Sequence, residues 1–150
     1  KPHFVMAEIG CFAGVSTSVF ACFAKTVLAV DPWTQNTGYG EIPAERMKEA
    51  EGAFWAVCRA FPNVVRIQGL STVAVRGIPD GALDMVYIDG AHSREAFLAD
   101  VTAWRPKVKP GGIIAGHDYG LVAGYWKEAG LPAPASVYPE TSWVTVLPGA

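Results

Sequence analysis

Five short apolar runs constrain this chain most: PHFVMAEIG, TVLAVD, VVRIQG, LDMVYIDG and GIIAGHDYG, each closing on a glycine or an acid. A strand with one wet face alternates apolar with polar residues, whereas strands apolar almost throughout belong in a sheet covered on both sides. The covers lie between them. VSTSVFACFA, AERMKEAEGAFWAVCRAF and REAFLADVTAWRPKV carry apolar residues at helical spacing, and the second has a wet face that includes Glu45, Lys48, Glu49 and Glu51. LSTVAVRGIP predicts a short helix or turn, VAGYWKEAG a short helix, Ser93 a helix cap, and Pro110-Gly111-Gly112 a turn into the fifth strand. Regular alternation with right-handed crossovers gives an α/β fold, doubly wound, with a mostly parallel sheet and helices on both faces. ASVYP and SWVTVLP are expected as a C-terminal antiparallel strand pair.

At 150 residues, 51% hydrophobic and 17% charged, the chain suits one core. The expectation is a single domain over residues 1–150 that lacks an N-terminal extension. A net charge of -2 with no Lys/Arg run excludes a phosphate-tracking surface, so nucleic acid is not expected as a partner. The uncharged run from Ile9 to Ala24 is shorter than the roughly 20 residues a membrane span needs, and Gly10, Gly14, Ser16, Thr17 and Ser18 interrupt it. No membrane association is expected. Cys11, Cys22 and Cys58 form neither a CxxC nor a paired Cys/His spacing, and no signal-peptide pattern is present, which points to the cytoplasm.

In a doubly wound sheet, ligands sit outside the carboxyl ends of the strands, where strand order reverses. That directs attention to residues 8–14, 31–33, 68–71, 89–92 and 116–119. The first group, EIGCFAG, is a strand-to-helix turn, but Phe12 stands where the dinucleotide fingerprint GxGxxG needs its second glycine. No GK[ST] follows either, so a diphosphate ligand is disfavoured. A ligand carrying adenosine without phosphates asks for less: close approach at Gly10, room at Gly14, and a carboxylate, Asp31, to accept from the ribose hydroxyls. Trp33 either stacks on such a ligand or packs in the core. Phe54, Trp55, Phe97 and Trp104 are expected in the core, Cys11 as a small space-filler, and residues 34–40 as a lid loop.

EIGCFAGVSTSV, VLAVDPW, IQGLS, LDMVYIDGAHSREAFLADVTAW and KPGGIIAGHDYG, taken in order, resemble the class I S-adenosylmethionine-dependent methyltransferases, and most of all their small-molecule O-methyltransferase branch. The likeness runs from about Phe4 to Tyr119, and WVTVLP resembles the last strand of that Rossmann-like fold. It implies S-adenosylmethionine as cofactor. Glu8 and Gly10 would hold its methionine end, Asp31 its ribose and Ser71 its adenine; Asp89 would lie under the ammonium group or beside a metal.

Methyl transfer from a sulfonium is an in-line displacement, so the protein mainly positions the acceptor and takes its proton. The candidates are Asp89, His92, His117 and Asp118. If the fourth and fifth strands are neighbours, as the resemblance implies, Asp89 and Asp118 end about 4.8 Å apart and can share Mg2+ or another divalent cation, leaving His92 or His117 as base. Tyr119 follows the second acid where metal-using members often have Asn. Plainer roles compete: Asp89-Gly90 is a good turn pair, Asp118 can fix its own backbone, and His92 stands near a helix start. The function expected is O-methylation of a small-molecule hydroxyl, on a sugar-like or phenolic acceptor, with a homo-oligomer left open. Two alternatives remain: a degenerate methyltransferase-like cofactor-binding module without its own acceptor site, and an NAD-dependent oxidoreductase, which Phe12 disfavours.

Overall fold

The computed structural model describes residues 3–35 and 41–149. Strands β1 (Val5–Ile9), β2 (Thr26–Asp31), β3 (Val64–Gln68), β4 (Leu83–Ile88) and β5 (Val108–Gly116) alternate with helices α1 (Val15–Phe23), α2 (Ala44–Ala60), α3 (Ser71–Ala74) and α4 (Arg94–Trp104). A short α5 (Tyr119–Val122) precedes β6 (Ser136–Val137) and β7 (Trp143–Val146), and where VAGYWKEAG is expected as a short helix only a 3-10 turn (Ala123–Tyr125) and further turns follow α5. The strands form one sheet in the order β3-β2-β1-β4-β5-β7-β6. β1 to β5 pair in parallel, while β7 runs antiparallel to both β5 and β6. Strand order therefore reverses between β1 and β4, as a doubly wound sheet requires.

Side chains alternate across a strand, so each strand feeds two cores. Ala7, Ile9, Val30, Val86 and Ile88 meet Phe97, Val101 and Trp104 of α4 on one side. Met6, Val27 and Ala29 meet Ala21 of α1 and Met47 and Phe54 of α2 on the other. α4 starts where the sequence indicates: the Ser93 hydroxyl accepts the Ala96 N–H at 3.3 Å. Its residues 97, 101 and 104 then return to one face at intervals of four and three. No helix among the described residues is long and apolar enough to cross a membrane.

Two further expectations need correction. Pro110-Gly111-Gly112 is not a turn before the fifth strand but an irregularity inside it: Leu83 pairs with Val108 and Met85 with Ile113, so the extra residues bulge out of the ladder. Gly111, at φ +74, allows this. Trp55 is not core. It follows Phe54 by one residue, a turn of about 100° around the helix, and that swings it outward to 45% exposure beneath the Arg66 guanidinium. Of the expected lid loop, residues 36–40 lie outside the described residues.

Candidate active site

The glycine turn after β1 is held by backbone and by one carboxylate. Gly10 donates to the Val30 carbonyl at 2.9 Å, and Asp89 donates to the Ile9 carbonyl at 2.8 Å, so the turn lies between the ends of β2 and β4. Gly10 has φ +85, and a Cβ there would lie 2.2 Å from the Asp89 carbonyl oxygen. The neighbouring strand end therefore by itself requires glycine at this position. Gly14, at φ +82, likewise makes room for a helix: a Cβ would meet the Phe54 ring at 2.9 Å. Asp31 closes the arrangement. Its Oδ2 accepts the N–H groups of Cys11 and Phe12, each at 2.9 Å, and its Oδ1 accepts that of Trp33 at 2.6 Å.

Glu8 lies below this turn, buried, accepting the hydroxyls of Ser16 and Thr17 in the first turn of α1. Burial pushes its carboxyl up to about 7, against the lowering effect of those two hydrogen bonds, and nearby Asp89 pushes the same way as burial.

Outside the carboxyl ends of the parallel strands, at the reversal, a cavity of about 680 Å³ opens. Gly10, Asp31, Ser71 and Asp89, which the sequence singles out, all line it. Glu8, Gly14, Trp33, His92, His117 and Asp118 are not on its wall. Trp33 is turned into the second core, its ring 4.6 Å from that of Phe54, with Arg66 over it at 4.2 Å and its indole N–H donated to the Phe12 carbonyl. Trp33 thus packs in that core, 6% exposed.

Two charged wall residues escaped the sequence reading. Arg46 of α2 supplies a guanidinium, and Asp100 of α4 a buried carboxyl that accepts the Ser71 hydroxyl. Burial raises Asp100 to about 6, offset in part by Ser71. Its signal was present: an acid between Phe97 and Val101 on the apolar face of an amphipathic helix. With Asp31, Asp89 and Asp100 against Arg46, the wall favours a cation.

Beside the cavity, β4 and β5 pair through Ile88 and Gly116, which brings Asp89 and Asp118 together as expected. His92, near-fully buried, completes a group whose ligand atoms lie within 4.8 Å of one another. Its Nε2 is 3.8 Å from Asp89 Oδ1 and 3.7 Å from Asp118 Oδ2. Both spacings exceed a hydrogen bond. Burial raises Asp89 to about 6, with His117 lowering it and Asp118 raising it, and burial lowers His92. Asp118 sits at φ +55 as the cap residue of α5, and His117 Nδ1 lies 3.2 Å from its Oδ1.

A family model described as a methyltransferase domain matches residues 7–119. The uncharacterized protein y4gI of Sinorhizobium fredii (strain NBRC 101917 / NGR234) is 26% identical over 89% of this chain, which spans 16% of that relative's length. Among solved structures, a SAM dependent methyltransferase from Aquifex aeolicus superimposes with a TM-score of 0.67 at 14% identity, covering 97% of this chain and 82% of its own. The 1,6-didemethyltoxoflavin-N1-methyltransferase of Burkholderia thailandensis, solved with 1,6-didemethyltoxoflavin and S-adenosylhomocysteine, gives 0.68 at 11% identity, covering 98% and 72%. At these identities the likeness to the solved structures is one of fold.

Proposed function

The chain belongs to the methyltransferase-domain family, and from that premise we propose that it binds S-adenosylmethionine in the cavity at the strand reversal and transfers the methyl group to a hydroxyl of a small molecule. The observation that carries this reading is the acid-rich wall combined with the occupied turn. A dinucleotide site offers the N–H groups of its glycine turn to a pyrophosphate. Here Asp31 takes those of Cys11 and Phe12 and adds a negative charge. A sulfonium ligand with an ammonium group fits such a wall and a diphosphate does not. The relative from Burkholderia thailandensis was solved with the demethylated product of this cofactor, which supports the same choice.

Asp89 is the carboxylate set to meet the ammonium end, and Ser71 borders the end after β3. A carboxylate has about four acceptor positions, and backbone uses three of those on Asp31, so one remains for a ribose hydroxyl rather than two. Glu8 acts at one remove, holding α1 under the turn. In the transfer, the S–CH3 bond breaks as the O–CH3 bond forms, and the acceptor's proton passes to a base. His117 is that base: it is more exposed than His92, and Asp118 lies beside its Nδ1, leaving Nε2 for the proton. Asp89, His92 and Asp118 would hold Mg2+ or another divalent cation. Such an ion supplies orientation and a lowered pKa at the acceptor hydroxyl. A hydroxyl benefits from this more than a nitrogen acceptor, whose lone pair attacks without losing a proton first.

Calorimetry of the chain with S-adenosylhomocysteine, run beside NAD, tests the reading. Micromolar binding of S-adenosylhomocysteine alone is expected, followed by methyl transfer in a screen of phenolic and sugar-like hydroxyls. NAD binding in its place overturns the reading. Binding with no transfer to any acceptor favours a cofactor-binding module.

A further inference from the structure

Val86 and Ile88 of β4 and Ile114 of β5 are buried in the core that α4 covers. Their neighbours Met85, Tyr87 and Ile113 point to the opposite face and are only partly buried. Register carries that face across three strands: Met85 pairs with Ile113 and Tyr87 with Ala115, then Ile113 with Val146 and Ala115 with Val144. Met85 and Tyr87 reach the margin of the second core, where the Phe20 ring of α1 lies 4.9 Å from that of Tyr87. Ile113, Val144 and Val146 belong to neither core, and Val146 is 47% exposed. Among the described residues, the helices of the second core are α1 and α2 alone. The strip formed by β4, β5 and β7 is therefore apolar without a cover, in a sheet whose strands call for one on both faces.

Beside the strip, α1 carries the matching feature. Its sequence, VSTSVFACF, holds no charged residue, and Val15, Val19 and Phe23, four residues apart, form an outer ridge that is 77%, 53% and 71% exposed. A helix without a charged face is normally buried. The strip is three strands wide, about 10 Å, which is the width of one helix.

We propose that this face is a homodimer interface, in which α1 of each copy lies in the strip of the other after a half-turn about an axis parallel to α1. A two-fold contact must be complementary to itself. Ridge and strip meet that condition: they are neighbours on one face, they match in width, and none of the residues that form them is charged. One arrangement covers both. A single helix laid in the strip from any other source would leave Val15 and Val19 in water. Phe12 and Val15 also line the cavity, so the partner copy borders its rim, and the half-turn leaves both cavities opening at the same end of the dimer.

Sedimentation of the chain at micromolar concentration tests this and is expected to give twice the mass of one chain. Val19→Asp on the ridge and Val146→Asp on the strip should each weaken the dimer by at least about tenfold, because each buries an unpaired charge. Both positions are about half exposed, so the fold should survive, and circular dichroism checks it. Should one variant lose its fold, the other decides. Val65→Asp, on the edge strand β3, probes the rival contact in which two sheets join edge to edge, and should leave the dimer unchanged. A monomer overturns the proposal. So does a dimer that a folded Val19→Asp or Val146→Asp leaves intact, or one that Val65→Asp alone dissolves. None of these outcomes depends on the cofactor reading.

Discussion

The Asp31 carboxylate accepts the backbone N–H of Cys11 at 2.9 Å, across 20 residues of sequence. The same oxygen accepts the N–H of Phe12, and its partner oxygen that of Trp33. One side chain thereby fixes the glycine turn to the end of β2, and the cavity wall takes its shape from that bond set.

Asp31→Ala leaves three N–H groups without their acceptor. We expect a loss of about 2 kcal/mol in stability and at least about tenfold in affinity for S-adenosylhomocysteine. Urea unfolding and calorimetry on the same sample check both; affinity that falls while stability holds would mean that Asp31 acts on the ligand alone.

Gly10→Ala places a Cβ 2.2 Å from the Asp89 carbonyl at a backbone angle of φ +85. A loss of about 3 kcal/mol or more is expected, because neither strand end can withdraw without breaking its ladder. Gly52 of α2, where a Cβ meets nothing within 4 Å, is the control. There Ala should stabilise by about 0.5–1 kcal/mol. Both follow from midpoints of denaturant unfolding.

Glu8 titrates near 7 in the folded chain against an ordinary 4.5. Between those values the folded chain holds a proton that the unfolded chain has released, so stability falls as pH rises from about 4.5 to about 7. Asp89 and Asp100, each raised from 3.8 to about 6, add to the same slope at its acid end. Glu8→Gln keeps a partner for Ser16 and Thr17 and removes the buried charge. It should flatten the slope and be the more stable chain at pH 8, by up to about 3 kcal/mol. Unfolding curves across pH 4–8 decide this, and an unchanged slope would place the titration elsewhere.

Asp89→Asn and Asp118→Asn should each weaken Mn2+ or Mg2+ binding by at least about tenfold, the cost of disturbing even an outer-shell partner of a metal. Asn tolerates the left-handed backbone of Asp118, so the fold should survive in that variant. Calorimetry measures the loss. An absence of heat with the unaltered chain would remove the metal from the mechanism and leave His117 beside Asp118 as its base.

The five parallel strands, the helices between them and the antiparallel closing pair were legible in the sequence, because apolar runs and helical spacing are properties of neighbouring residues. The meeting of Asp89 with Asp118 followed once their strands were taken as neighbours. The occupancy of Asp31 was not legible, since the N–H groups it accepts arrive from another strand end. Nor was the reason for Gly10, whose obstacle is a carbonyl 79 residues further on, or the bulge that absorbs Pro110-Gly111-Gly112.

By itself, then, the sequence determined which stretches are strands and helices, that the sheet is buried on both faces, and that polar groups gather at the strand ends. Periodicity carries that information because side-chain direction is set by the chain's own local geometry. Only the tertiary structure decided what each polar group does: that Trp33 packs on Phe54, that Asp100 joins Ser71 at the cavity, and that His92 lies between two acids. A buried donor or acceptor is satisfied by whatever group strand order brings within about 3 Å, and that order is a property of the assembled sheet.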